Sequence, residues 1–261
     1  MFVQAHRGYS ERYPENTLLA FRRAVEVGAD RVEMDLGLTR DGVVVLLHDR
    51  TLDRTSDGRG PVASYEYEHV ATLDAGGWKD ERFAGEAVPA LRDVIDAIAQ
   101  NAVLNLELKT RDRTGALAQR TLDATLELLR EKDVIDRVVL SSFDALALRD
   151  VAEREPGLRL LLLDWDPPAT TDGLALAIEF GFWGWSPRAT YATEERIARA
   201  KEAGLHVHVG ATPNPDDLRR LHDWGVDGVS NDDPEALVWA LRAAGLRPPE
   251  GRCDALGPWP R

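Results

Sequence analysis

Segments patterned as strands and segments patterned as helices take turns along nearly the whole of this 261-residue chain. Nothing else narrows its possible folds so far. The spacing predicts strands at 2–6, 31–38, 103–108, 138–142, 158–163, 183–186, 206–209 and 227–230. Each is followed by a helical pattern, at 16–27, 90–100, 115–131, 144–154, 172–180, 193–203, 215–224 and 234–244. The punctuation agrees. Pro14-Glu15-Asn16-Thr17 supplies a turn and a capping side chain, with Asn16 read as the cap, and Gly28 supplies the stop. Asp41-Gly42 predicts a hairpin into one further strand at 43–47. With that hairpin set aside, eight βα units remain, the signature of an α/β chain closed into a (β/α)₈ TIM barrel. Residues 49–89 read as a loop-rich insertion after the second strand, with too few apolar residues for a core of their own. The expected organisation is one barrel domain over 1–246 and an irregular Pro- and Gly-rich tail over 247–261.

A barrel makes a specific demand: side chains that do chemistry belong at the C-terminal ends of its strands. His6 ends the first predicted strand, Glu33 and Asp35 lie late on the second, His48 ends the hairpin, and Glu107 and Lys109 end the third. All of them converge on one mouth. Glu33 and Asp35 are spaced i, i+2, which on a strand puts both carboxylates on one face, about 6.6 Å apart along the chain. Such a pair is costly to bury unless positive charge lies between its members. A divalent cation is the usual answer, and all-oxygen ligands point to a hard one such as Mg²⁺ or Ca²⁺. Taken singly, these residues have plainer readings. The acids could form the polar face of an edge strand, and either histidine could be an interior ring bonded to backbone. Glu107 and Lys109 could be a rim ion pair, and Arg7 could pair structurally with Asp35. Asp49 either orients the His48 ring or closes the turn. His206 and His208 alternate with valines, and this reading sends one to the barrel interior and the other to the helices, with little to mark either as a metal ligand.

Composition excludes some partners. Hydrophobic residues at 44% and charged residues at 30% describe an ordinary globular protein. A net charge of −13 argues against nucleic acid or an anionic membrane as a standing partner. It would also repel an anionic substrate, so an anion site here needs local positive charge from a metal, arginine or lysine. Cys253 is the only cysteine, so no intrachain disulfide forms. No basic-then-apolar segment opens the chain and no apolar run approaches a membrane span. The expectation is a soluble cytoplasmic enzyme without stable membrane association; the sequence does not fix its oligomeric state.

His6-Arg7-Gly8, Pro14-Glu15-Asn16-Thr17, Gly28-Ala29-Asp30, Glu33-Met34-Asp35, Thr39-Arg40-Asp41-Gly42 and the run His48-Asp49-Arg50-Thr51-Leu52-Asp53-Arg54-Thr55 occur in that order. The ordered series resembles the glycerophosphodiester phosphodiesterase family. Leu104-Asn105-Leu106-Glu107-Leu108-Lys109, Ser141-Ser142-Phe143 and Gly225-Val226-Asp227-Gly228 before Asp232 continue the resemblance. It implies a metal-dependent barrel enzyme that hydrolyses glycerophosphodiesters to sn-glycerol 3-phosphate and an alcohol. By position it also implies Glu33, Asp35 and Glu107 as ligands of one divalent cation, and His6 and His48 as general acid and base. Arg7 and Lys109 would then be contacts to the substrate phosphate, which suits a phosphodiester monoanion that resists attack until its charge is neutralised.

The chain departs from the family pattern in three places. Gly210 stands where the family usually has Trp on the seventh strand, Ser186 where Asn commonly precedes the proline, and Asn231 where Thr precedes the late Asp. All three fall on the half of the mouth that would hold the glycerol or alcohol group, where Trp183, Trp185 or Trp165 could supply aromatic surface instead. A related phosphodiesterase acting on lysophospholipids or another headgroup is the nearest alternative, although the insertion carries no apolar stripe. A non-catalytic phosphate-binding barrel is more remote, because no histidine or carboxylate of the set is missing.

Overall fold

Every barrel strand after the first follows a helix, and alternate residues of the strands point inward. The structure is a computed structural model in which residues 1–110, 115–165 and 171–248 are described. Eight parallel strands form the wall: β1 (Phe2–Ala5), β2 (Arg31–Leu38), β4 (Val103–Glu107), β5 (Val138–Ser142), β6 (Arg159–Asp164), β7 (Gly184–Pro187), β8 (His206–Gly210) and β9 (Gly228–Asn231). They run β1-β9-β8-β7-β6-β5-β4-β2, and pairing of β1 with β2 closes the ring. The (β/α)₈ barrel is as predicted. The remaining strand, β3 (Val44–Leu46), is the hairpin arm and pairs antiparallel with Leu36–Leu38 at the far end of β2. Gly42, with φ of 87°, makes the turn that Asp41-Gly42 announced.

Helices α1 (Leu18–Glu26), α3 (Leu91–Ile98), α4 (Ala116–Glu131), α5 (Ala145–Arg154), α6 (Gly173–Glu179), α7 (Glu194–Glu202), α8 (Pro215–Asp223) and α9 (Pro234–Ala243) cover the wall. The short α2 (Tyr67–Val70) lies in the insertion. Local chemistry sets their starts. Asp144, Asp172, Thr193, Asn214 and Asp233 each accept backbone N–H groups of the helix that follows. At α1 the cap is Thr17, whose hydroxyl accepts the Ala20 N–H at 3.2 Å. Asn16, read as the cap, is instead held in the left-handed region at φ 57° and turned into the barrel mouth. A helix cap needs extended backbone, which Thr17 has and Asn16 lacks.

The main core lies between wall and helices, built from the outward residues of each strand. Inside the ring, Phe2, Val103, Val139, Leu161 and Trp183 pack together at the bottom, with the buried Arg31 guanidinium over the Phe2 ring at 4.3 Å and the His206 ring stacked against both aromatics. Phe2 fills this space so fully that a Cβ on Gly228 opposite would lie 2.1 Å from its ring. The insertion gathers a smaller cluster of Leu52, Val62, Val70, Ala75 and Val88, which borrows Val45 and Leu47 from the hairpin. The bottom is tied by Arg247, which bonds the buried Asp30 and the Gly28 carbonyl. Of the expected irregular tail, residues 249–261 lie outside the described residues, as does Cys253.

Candidate active site

The loop after β1 is bent by three residues with positive φ: Arg7 at 55°, Gly8 at 80° and Asn16 at 57°. At Gly8 a side chain is excluded twice over, by that angle and by the Ala20 backbone 2.7 Å from a hypothetical Cβ. The bend presents His6, Arg7 and Asn16 to the mouth together. His6 Nδ1 lies 2.7 Å from Asp232 Oδ1, on the loop after β9, and the Ser10 hydroxyl donates to the same oxygen at 2.9 Å. The Arg7 N–H donates to Glu33 Oε2 at 2.8 Å. The Arg7 guanidinium contacts Glu15 at 2.9 Å and Asp35 at 3.4 Å.

Parallel register places the acids. Glu33 pairs with Asn105 and Asp35 with Glu107, so the three carboxylates of β2 and β4 share one interior corner. Their ligand oxygens lie within 4.8 Å of one another, and all three residues are buried. Asn16 donates to Asp35 Oδ2 at 2.7 Å, and Lys109 Nζ reaches both Asp35 Oδ1 and Glu107 Oε1 at 2.7 Å. Environment splits the pair on β2. Burial raises the Glu33 carboxyl, and the neighbouring Asp35 charge adds to it, to about 8. Burial also pushes Asp35 up, but the Lys109 and Arg7 charges and the Lys109 and Asn16 hydrogen bonds bring it below the ordinary aspartate value. Glu33 Oε1 is buried without a hydrogen-bond partner among the described residues. A crowded all-oxygen donor set with an unmet carboxylate oxygen fits a hard divalent cation, so the triad can hold a metal ion.

The second histidine arrives from the hairpin. His48 Nδ1 lies 2.7 Å from Asp49 Oδ1, which makes Asp49 a partner of the ring. Arg54 grips Asp49 at 2.7 Å and Glu15 at 2.8 Å, and so ties the His48 turn to the loop that carries Arg7. The Arg54 hydrogen bond, and then the His48 bond, hold the Asp49 carboxyl down at about 2 against partial burial. His6, Arg7, Glu33, His48, Glu107 and Lys109 all line one cavity of about 560 Å³. Asp35 stands directly behind them.

The sequence profile of the glycerophosphoryl diester phosphodiesterase family matches residues 6–236. This chain belongs to that family. A curated glycerophosphodiester phosphodiesterase from Caldanaerobacter subterraneus subsp. tengcongensis is 36% identical over 93% of this chain and 98% of its own. A second, from Bacillus subtilis, is 32% identical over 88% and 83%. Among solved structures, a phosphodiesterase of Oleispira antarctica in complex with the product sn-glycerol-3-phosphate superposes with a TM-score of 0.81. It is 30% identical over 93% of this chain and 97% of that one.

The family's usual aromatic on the seventh barrel strand has no direct substitute here. Trp185 is fully buried outside the ring, donating to Asp164 at 2.9 Å, and Trp183 lies in the bottom layer stacked 4.1 Å from His206. Trp165 alone of the three lines the cavity. It forms an exposed rim with Phe143, ring centroids 5.2 Å apart. Gly210 leaves open space, since a Cβ there would meet only Ser230 Oγ at 3.9 Å. Ser186 faces His208 across 3.2 Å, and Asn231 spends its side chain on backbone, donating to the Ala211 carbonyl at 2.9 Å. His206 and His208 do not face opposite ways. Alternation with valines puts both on one face, and both rings stack on Phe2 inside the barrel, at 5.2 and 5.7 Å.

The predicted site residues thus come together, and four others join them: Glu15, Arg54 and Asp232, which carried no assigned role, and Asn16, which was read only as a helix cap. Glu15 and Arg54 sit inside the quoted motifs and could have been picked out there. Asp232 is 226 residues from His6, and only closure of the ring by β9 makes them neighbours.

Proposed function

We propose that this chain hydrolyses glycerophosphodiesters to sn-glycerol 3-phosphate and an alcohol, using Glu33, Asp35 and Glu107 to hold one divalent cation, Mg²⁺ or Ca²⁺. The observation that carries this reading is a pair of histidines at one mouth with the acid triad, each bonded through Nδ1 to its own carboxylate. That bond turns Nδ1–H of each ring toward its carboxylate and aims Nε2 at the cavity, where a neutral ring can accept a proton and a protonated ring can give one up. One imidazole takes the proton of the attacking group, which is water or a substrate hydroxyl whose cyclic phosphate water then opens, and the other protonates the departing alkoxide. Bound cation supplies positive charge to the non-bridging phosphate oxygens. Arg7 and Lys109 offer further charge to the same oxygens, which lets a phosphodiester monoanion settle in a chain of net charge −13.

The exposed rim of Phe143 and Trp165 favours one second reading, a phosphodiesterase that accepts a lysophospholipid by laying its acyl chain there. Turnover of glycerophosphoethanolamine, glycerophosphocholine and lysophosphatidylcholine, assayed for sn-glycerol 3-phosphate and for choline, separates the two. Release of sn-glycerol 3-phosphate with Mg²⁺ or Ca²⁺, abolished by chelation and restored by the cation, is expected. Full activity after chelation, or turnover of the lysolipid alone, would overturn the proposal.

A further inference from the structure

His48 and Arg7 have to act on one phosphorus, yet they reach the mouth from different loops. Arg7 follows β1, while His48 follows the hairpin arm β3. Those two strands are joined only by way of β2, and β3 meets β2 only at its far end, Leu36–Leu38. The Arg7 backbone adds a further demand. Its φ of 55° is a conformation that a non-glycine residue keeps only where its surroundings hold it.

A single guanidinium spans the gap. Arg54 presents the side of its fork to Asp49, with Nε donating to Oδ2 at 2.7 Å and Nη2 to Oδ1 at 3.2 Å. It presents the end of the fork to Glu15, with Nη1 donating to Oε2 at 2.9 Å and Nη2 to Oε1 at 2.8 Å. Asp49 Oδ1 also meets His48 Nδ1 at 2.7 Å, and Glu15 Oε1 also accepts from Arg7 Nη1 at 2.9 Å. The result is one continuous chain of charge-assisted bonds from His48 through Asp49, Arg54 and Glu15 to Arg7. The two edges of a guanidinium lie in one plane at a fixed angle, so they hold the two carboxylates in a set relation. A lysine in the same place would keep the charge and lose the angle.

Stability alone is a poor reason for this arrangement. The Arg54 side chain is 42% exposed, and ion pairs so open to water contribute little to folding. Glu15 is the enclosed member, at 13%. Burial raises its carboxyl, but the Arg54 hydrogen bonds and the Arg7 charge bring it below the ordinary glutamate value, so it stays a carboxylate at neutral pH. Without that carboxylate the Arg7 guanidinium would be drawn onto Asp35, 3.4 Å away, and would crowd the metal corner.

We propose that Arg54 is a positioning residue: through Asp49 and Glu15 together it sets the separation of the His48 ring from the Arg7 guanidinium. This rests on the phosphodiester-hydrolase reading above. A proton-transferring ring about 1 Å out of place costs on the order of 10²-fold in rate. A guanidinium that drifts toward Asp35 loses its hold on phosphate. One substitution at Arg54 should therefore affect both.

Arg54→Lys, which keeps the charge and loses the fork, is the first variant and Glu15→Gln the second; melting temperatures check that both fold. Kinetics on glycerophosphoethanolamine read the His48 arm. Calorimetry of sn-glycerol 3-phosphate in saturating Mg²⁺ or Ca²⁺ reads the Arg7 arm without any turnover. Arg54→Lys should lower kcat about 10²-fold. It should weaken binding of the monoester about tenfold, the worth of one charge-assisted hydrogen bond. Affinity for the cation itself should stay that of wild type in this variant, because Arg54 bonds Asp49 and Glu15 and neither belongs to the triad. The double variant should bind the monoester no worse than the weaker-binding single one, since both cut the same chain. Additive losses in the double variant, or a loss in only one of the two arms, would overturn the proposal. So would a fall in cation affinity as large as that for the monoester, the mark of a general loosening. If wild type binds the monoester yet hydrolyses no diester, the proposed function fails and calorimetry alone decides. The bridge then stands if Arg54→Lys weakens the monoester while sparing the cation, and falls if it does not.

Discussion

Asn16 and Asp35 exchange two hydrogen bonds, the amide donating to Asp35 Oδ2 at 2.7 Å and accepting the Asp35 backbone N–H at 3.2 Å. One side chain thereby fixes both the carboxylate and the strand behind it. The left-handed backbone at Asn16 is what aims that amide, and asparagine tolerates this region better than most residues. Asn16→Gly removes the bonds without adding strain, and Asn16→Ala removes them and adds it. The glycine variant should lose about 1–3 kcal/mol, the range for a buried polar group left unpaired, and cation affinity should fall with it. Denaturant titration and metal calorimetry report the two effects. A glycine variant as stable as wild type would show that the bonds are worth nothing net.

The fold was legible because its signals are local. Apolar period, Asp and Asn caps and glycine stops each act within a few residues, so β5 to β9 fall within a residue or two of their predicted limits. The Glu33 and Asp35 pair was legible for a similar reason, since i, i+2 spacing survives any strand register, whereas Glu107 joins it through the pairing of β2 with β4 and was marked as a ligand in the sequence only by the family resemblance. The supports of the histidines were less so. Asp49 adjoins His48 in sequence, whereas Asp232 meets His6 only through the pairing of β1 with β9. Asn16 misled because its type suits a cap, while backbone geometry gave that task to Thr17. The buried polar atoms without partners inside the barrel, Asn105 Oδ1, Ser141 Oγ and His208 Nε2, could not be read at all, because they depend on what the remaining strands fail to supply among the described residues.

Glu33 makes cation binding a proton-releasing event. Burial and the Asp35 charge raise its carboxyl to about 8, so at neutral pH it is mostly protonated before a cation binds. A bound cation requires the carboxylate and expels that proton. Apparent affinity should therefore rise with pH up to about 8 and then level off. Calorimetry near pH 7 in buffers of different ionisation heat should show close to one proton released, and Glu33→Gln should abolish it. Heats that do not depend on the buffer would contradict the assignment of Glu33 as a ligand.

His6→Ala and His48→Ala should each lower kcat by roughly 10²–10⁴, the range for losing a general acid or base, with melting temperature little changed. A leaving group such as p-nitrophenolate needs no protonation. Esters of p-nitrophenol should thus partly restore the variant that lacks the acid and leave the one that lacks the base slow. Identical responses from the two variants would refute a division of labour between the rings.

Asp232 should set the protonation of His6. Burial lowers the ring's pKa, but the Asp232 hydrogen bond and the Glu33 charge outweigh it, and the net shift is upward from 6.5. Asp232→Asn takes away the largest upward contribution and returns the advantage to burial. The His6 pKa should then fall, and the limb of the pH–rate profile that it governs should move toward acid whether His6 serves as acid or as base. Nitrogen NMR of the imidazole across the titration follows the ring directly. A His6 resonance that titrates at the same pH in variant and wild type would remove Asp232 from this role.

Gly210 controls how wide the mouth is on the side away from the metal corner. It ends β8 with backbone only, and the nearest atom to a Cβ placed there is Ser230 Oγ at 3.9 Å. Trp183 and Trp185 are committed elsewhere, so neither blocks a ring introduced at this position. A tryptophan brings some 150–250 Å² of aromatic surface, enough to narrow the entrance against bulky alcohol groups. Gly210→Trp should therefore raise the preference for glycerophosphoethanolamine over esters with large alcohols. The triad and histidines are untouched, so the change should fall mainly on KM, as when uniform binding is altered. Had the space been filled already, the ring would displace its neighbours and slow every ester alike. Steady-state kinetics on one small and one bulky substrate distinguish the outcomes, and a uniform fall in kcat for both would show that the space at Gly210 is not available to a side chain.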